Sequence, residues 1–182
     1  GIAGTSRIAR WDGSLWHPLG SGLQGGIADV VSMGPALVVV GYLQSPGEEQ
    51  FHPILRWDGG QWSAWPGSFP PVRPNSGIPR VSAACVHDGS LHVAMGRIPP
   101  DRPRIVSSVY RWNGAEWGQV GGELGVDPTG AELYLLHSHQ GLLYLTGGFR
   151  NVGDRAVRGV AVLQFLDWQP LADGLDSAFE AV

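Results

Sequence analysis

The sequence predicts an all-β fold, a β-propeller or an arc of one, with about three and a half to four blades of four antiparallel strands in 182 residues. Three observations predict it. A Trp-turn-Trp unit, RWDGSLWHPLG at residues 10–20, returns as RWDGGQWSAWPG at 56–67 and as RWNGAEWGQVGG at 111–122. The first tryptophans of these units, Trp11, Trp57 and Trp112, are spaced by 46 and 55 residues. Repeats of roughly 50 residues are those of propeller blades, whereas helical repeats are shorter. Between the units lie short aliphatic runs closed by glycine, the pattern of buried strands.

In chain order, residues 8–19 supply half a blade, the two arms of a hairpin around Asp12 and Gly13. Residues 27–65 make a whole blade: GIADVVSM and ALVVVGYL are its first two strands, and the arms flanking Asp58-Gly59 its last two. Residues 79–120 repeat this with RVSAACVH, LHVAMGRI and the arms around Asn113-Gly114. Residues 131–171 repeat it again with AELYLLHSH and LYLTGGFR, ending in a degraded unit, LQFLDWQPLADGL. There Trp168 aligns with Trp16, Trp62 and Trp117, and Leu163 stands in the place of the first tryptophan. Residues 177–182, SAFEAV, read as the first strand of a closing or further blade. The aligned strands place Gly41, Gly96 and Gly148 in register. The Asp-Gly and Asn-Gly pairs predict two-residue type I′ turns, which need positive φ at both central positions. Tryptophans five apart, one on each arm, suit the wedge between twisted neighbouring sheets.

Composition fits one globular domain covering 1–182: 43% apolar, 15% charged, with 28 glycines and 14 prolines to punctuate many turns. A net charge of −4, with 12 arginines and no basic run, argues against nucleic acid as a partner. No apolar run approaches a membrane span. Cys85 is the only cysteine, so no intramolecular disulfide forms. The opening GIAGTSR has no initiator Met, basic start or apolar stretch, as expected of a processed or excised piece.

The run LYLTGGF, followed by VAVLQ, Trp168 and Leu171, resembles the kelch motif. The RWDG-x-x-W-x-x-LG-x-GL version is similar to the kelch-like repeats of bacterial surface proteins and of the fungal cortical cell-polarity marker family. The resemblance spans nearly the whole chain. It implies a propeller at the cell surface or outside the cell, in a group that includes scaffolds, carbohydrate binders and a few oxidases. Val40-Gly41 and Met95-Gly96 depart from the motif's double glycine. The copper site of the oxidases, with tyrosine crosslinked to cysteine, has no counterpart, because Cys85 sits inside a strand with no matching Tyr/His set.

Candidate ligand-binding residues are His87, Asp88, His137 and His139. His87 and His139 align at the ends of innermost strands, near one mouth of a central channel, and His137 shares a strand face with His139. Two or three imidazoles there suit a transition metal, though hydrogen-bonded loop and core histidines explain the same residues. Asp12 and Asp58 read as turn residues. GSGLQGG at 20–26 is a connection between blades and lacks the Lys-Ser/Thr of a phosphate loop. Arg73, Arg80, Arg97, Arg102 and Arg104 crowd the middle loops as an anion- or protein-binding edge, or as solvated charges covering tryptophan. No nucleophile elbow or catalytic constellation is present, and no cofactor is called for. The expected function is therefore a non-enzymatic binding or structural module that engages protein or glycan. One alternative is a metal-dependent hydrolase, lyase or oxidase around His87 and His139. The other is a homo-oligomer, or part of a longer propeller, joined through open blade edges.

Overall fold

The computed structural model describes residues 6–70, 72, 74–75, 77–101, 105–126 and 134–171, which form strands and turns with no helix. The strand expected at 177–182 lies outside them, as do Arg73, Arg102 and Arg104. All strand pairs are antiparallel. β1 (Ala9–Trp11) and β2 (Trp16–Pro18) form a two-stranded sheet. β3 (Gln24–Met33), β4 (Ala36–Gln44), β5 (His52–Trp57) and β6 (Trp62–Ala64) form a four-stranded sheet in that order. β7 (Arg80–His87), β8 (Ser90–Arg97), β9 (Val106–Trp112) and β10 (Trp117–Val126) follow in the same manner. A last sheet joins β11 (Tyr134–His139), β12 (Leu142–Gly147), β15 (Val160–Gln164) and β16 (Asp167–Pro170).

The hairpin of β13 (Phe149–Val152) and β14 (Arg155–Ala156) is an addition that the repeat did not predict. It leaves the last sheet and pairs with β10, Leu124 opposite Val152 and Gly125 opposite Asn151, so the third sheet has six strands. LYLTGGFR, expected as one strand, is therefore two, broken at Gly148. The strands also run past their expected bounds: β3 begins at Gln24 and β10 continues to Val126.

Each sheet packs on the next along the chain. Val38, Val40, Ile54 and Trp65 share a core with Leu91, Val93, Met95, Tyr110 and Trp112. Ala83, Cys85, Ala94 and Val109 share another with Leu136, Leu143, Leu145 and Trp168. The central strands are covered on both faces, which is why β4 and β8 read as nearly unbroken apolar runs. β3 packs beside β7, and β7 beside β11.

The four Trp-type hairpins pair as the repeat requires: Trp11 with Trp16, Trp57 with Trp62, Trp112 with Trp117 and Leu163 with Trp168. The turns of the first three differ from the expected two-residue type I′. Four residues separate the paired tryptophans, and only Gly13, Gly59 and Gly114 take positive φ, near 106°, 105° and 103°. The acidic or amide residue serves as an acceptor. Asp12 Oδ1 accepts from Ser14 N–H and Leu15 N–H at 2.8 Å, and Asp58 Oδ1 from Gly60 N–H and Gln61 N–H at 2.8 and 2.9 Å. Asn113 Oδ1 does the same for Ala115 and Glu116 at 2.9 Å. These bonds, with Leu15 N–H the strongest and His17 contributing, hold the Asp12 carboxyl well below the usual range, and Gln61 and Gly60 lower Asp58. An amide oxygen serves equally well, which is why Asn replaces Asp in the third copy. Asp58→Asn is therefore expected to leave the melting temperature unchanged, and Asp58→Ala to lower it by a few degrees, an order that calorimetry checks.

The glycine register also needs correcting. The turns pair Met33 with Ala36, His87 with Ser90 and His139 with Leu142, so the first copy is offset by one residue. Gly41 lies level with Met95 and Gly147, and Gly96 with Gly148. Gly41 and Gly147 share φ near 149° and 155°. A Cβ on Gly41 would strike the Gly26 carbonyl beside the bulge at Ala28, so glycine is obligatory there.

The tryptophans pack between sheets from the second sheet onward. Trp62 donates from its indole N–H to the Leu19 carbonyl at 3.0 Å, and Trp168 to the Val120 carbonyl at 3.1 Å. Trp112 and Trp117 lie against Trp65, with Phe69 stacked on Trp117. Trp11 and Trp16 depart from this pattern, being 49% and 53% exposed.

Candidate functional site

The ends of β7 and β11 carry the histidines. Asp88-Gly89 and Gln140-Gly141 are two-residue turns with positive φ at both positions, 48° and 69° in one and 50° and 73° in the other. Those values are of type I′, so His87 and His139 occupy equivalent places just before each turn.

The surroundings of the two histidines differ. His87 is buried, with Nδ1 2.9 Å from Ser138 Oγ. Its Nε2 is 3.5 Å from Asp88 Oδ2, an ion-pair distance too long for a direct hydrogen bond. Its ring meets His92 edge-on at 5.7 Å. His137 and His139 are both exposed. Successive strand residues face opposite sides, so Ser138, which meets His87, lies on the opposite face of β11 from His137 and His139. The three imidazoles are therefore not gathered. Among the described residues no group of three His, Cys, Asp or Glu side chains is placed to hold a metal ion.

Three further residues complete the neighbourhood, none of them singled out by motif. His92 is buried in β8, and its Nδ1 carries the proton, because its partner at 3.2 Å is the Ser90 carbonyl. Arg111 donates to Ser90 Oγ at 3.2 Å. Asp29 reaches from β3 to the neighbouring edge of β7: its Oδ2 accepts from Ala84 N–H at 3.0 Å and its Oδ1 from Val30 N–H at 2.7 Å. A lone acid in the apolar run GIADVVSM was the available signal for it. Ser138 and the His92 ring meet His87 across strands, where local pattern says nothing.

Burial pushes the Cys85 thiol up, the Ser138 backbone N–H opposes this, and Asp29 adds to the rise. A protonated thiol inside a strand is neither a nucleophile nor a metal ligand at neutral pH. Among the described residues the site offers hydrogen bonding, from a serine–imidazole pair flanked by an exposed carboxylate and two exposed imidazoles.

Arg80 and Arg97 stand at strand ends of β7 and β8, not in loops, and Arg97 Nε donates to Tyr110 Oη at 3.2 Å. An open depression of about 430 Å³ lies away from the histidines, lined by Gly122, Val152, Asp154, Arg155 and Asp167. Arg155 is engaged there by Gln169 Oε1 at 2.6 Å and Asp167 Oδ2 at 3.4 Å.

No helix among the described residues is long and apolar enough to cross a membrane. The class that fold and site define is an all-β protein of stacked antiparallel sheets. Compared with known proteins, the chain matches no protein-family model and no curated protein.

Proposed function

We propose that this chain is an arc of a kelch-like β-propeller and acts as a non-enzymatic binding module at the cell surface or outside the cell. The observation that carries the reading is the packing of β3, β7 and β11 side by side, each the first strand of its sheet. Innermost strands of consecutive blades would lie in this way around a channel. The turns at Gly34-Pro35, Asp88-Gly89 and Gln140-Gly141 then form one rim. His137, His139 and the exposed Asp88 offer donors and acceptors there to a protein or glycan, and His87 is held behind them by Ser138.

A glycan and peptide array probed with the intact chain tests this, alongside a His137→Ala/His139→Ala variant. Both side chains are exposed, so the variant keeps the fold. The reading expects binding to a defined ligand class, weakened about tenfold or more in the variant. Binding that the variant leaves unchanged moves the site off this rim, and silence across the array removes the binding reading.

A further inference from the structure

One hairpin turn holds its side chain as an electrophile. Trp112 and Trp117 pair across a connection that begins Asn113-Gly114. Asn113 Oδ1 accepts from the Ala115 N–H and the Glu116 N–H, both at 2.9 Å. Two donors on one amide oxygen draw charge from Cγ, and they stand where charge builds when a nucleophile adds there. The nucleophile is next in the chain. Gly114 is exposed, and its backbone N–H makes no hydrogen bond among the described residues. A Cβ built on it meets nothing within 4 Å, so the nitrogen can approach Cγ without crowding.

The two Asp-Gly turns keep the same pair of donors with a carboxylate in the amide's place. The Leu15 N–H at Asp12 and the Gln61 N–H at Asp58 do most to hold both carboxyls below the usual range. An ionised carboxylate resists attack by nitrogen, so those turns are closed to the reaction that Asn113 is open to. They also show that aspartate fits the turn.

We propose that Asn113 is a site of self-modification: in the folded chain it deamidates through Gly114 to aspartate, the residue that the two earlier copies carry in the same turn. The Gly114 nitrogen gives its proton to water and bonds to Asn113 Cγ. The Cγ–Nδ2 bond breaks, and ammonia leaves with a proton taken from water. Water then opens the cyclic succinimide. Addition at Cγ breaks the new N–Cγ bond, returns a proton to the Gly114 nitrogen and leaves a side-chain carboxylate. Addition at the main-chain carbonyl gives isoaspartate, which lengthens the backbone by a methylene. The donors from Ala115 and Glu116 polarise Cγ and not the main-chain carbonyl, so they promote ring closure and then direct water to the aspartate product. The change adds a negative charge beside Glu116, runs one way and is independent of any ligand at the histidine rim.

Asn75 and Asn151, the other two asparagines, are references within the same chain. Asn75 precedes serine. Asn151 precedes the branched, buried Val152, and its Nδ2 is tied to the Gly153 carbonyl at 2.7 Å. Incubation of the intact chain in mildly alkaline buffer, read by peptide mapping with mass spectrometry, tests the proposal, with the chain unfolded in urea alongside. In the folded chain Asn113 should convert at least about tenfold faster than Asn75 or Asn151. Its ratio of aspartate to isoaspartate should be at least about threefold higher than in urea. Asn113→Asp, which is the product, should keep the wild-type melting temperature. An Asn113 that converts no faster than the other two in the folded chain overturns the proposal. So does a product ratio that unfolding leaves unchanged, which would deny the turn its part, or a marked fall in the melting temperature of Asn113→Asp.

Discussion

Trp168→Ala is expected to cost about 3–5 kcal/mol of stability, the range for removing a large aromatic from a packed core. Trp168 is fully buried and sits in the core shared by the third and last sheets, among Val120, Leu143 and Ala161. Its indole N–H also supplies the bond to the Val120 carbonyl. Truncation therefore opens a cavity and leaves a carbonyl short of a partner at the same place. For a chain of this length each kcal/mol is roughly 2–4 °C in melting temperature, so the drop is on the order of 10 °C. Trp168→Phe keeps most of the ring and loses the donor, and should cost clearly less. Trp16→Ala is the internal control: it changes the same repeat position, but on an exposed ring, and in the monomer it should stay within about 0.5 kcal/mol. Urea unfolding of the three variants checks the order. Equal losses at Trp168 and Trp16 would mean that the sheet-to-sheet tryptophan contact does not hold the stack together.

That comparison turns on something the repeat makes plain and something it hides. Recurring tryptophans revealed the hairpins, including the degraded one, because a residue pair facing across two strands leaves a constant spacing in the chain. The spacing could not tell whether a given ring has a neighbouring sheet to lie on, since burial is set by chain far away in sequence. The glycine register failed by one residue for a related reason. Gly41 and Gly96 look alike in a gapless alignment, and only the turn pairings Met33–Ala36 and His87–Ser90 show which position faces the bulge. The Asp-Gly turns were placed correctly and given the wrong geometry. Their Asp and Asn act through the side-chain oxygen, while the left-handed type I′ values occur at Asp88-Gly89, at Gln140-Gly141 and, unexpectedly, at Phe165-Leu166. At the candidate site His87 and His139 were legible as equivalents. The contact that decides their difference, Ser138 with His87, crosses from one sheet to the next and leaves no periodic trace.

His92 should make the protein lose stability in mild acid. It lies on β8, opposite Cys85 on β7 and Arg111 on β9, and is 2% exposed. Burial pulls its pKa down from 6.5 to about 4; the Ser90 carbonyl opposes this, His87 and Arg111 deepen it by their charge, and Asp88 acts against them. With a folded value below the unfolded one, the unfolded chain takes up the proton first. The contribution is therefore full above about pH 6.5 and is lost as pH falls towards 4. At roughly 1.4 kcal/mol per pH unit, the loss by pH 4.5 is on the order of 2 kcal/mol. His92→Leu removes the titrating group and keeps an apolar side chain in a place that Val38 fills in the preceding sheet. Denaturant unfolding at pH 7 and pH 4.5 separates the two chains. Wild type should lose on the order of 2 kcal/mol more across that interval than the variant does. Carboxylates elsewhere titrate in both chains and cancel in the difference, and a difference near zero would mean that His92 takes up its proton as readily in the folded chain as in the unfolded one.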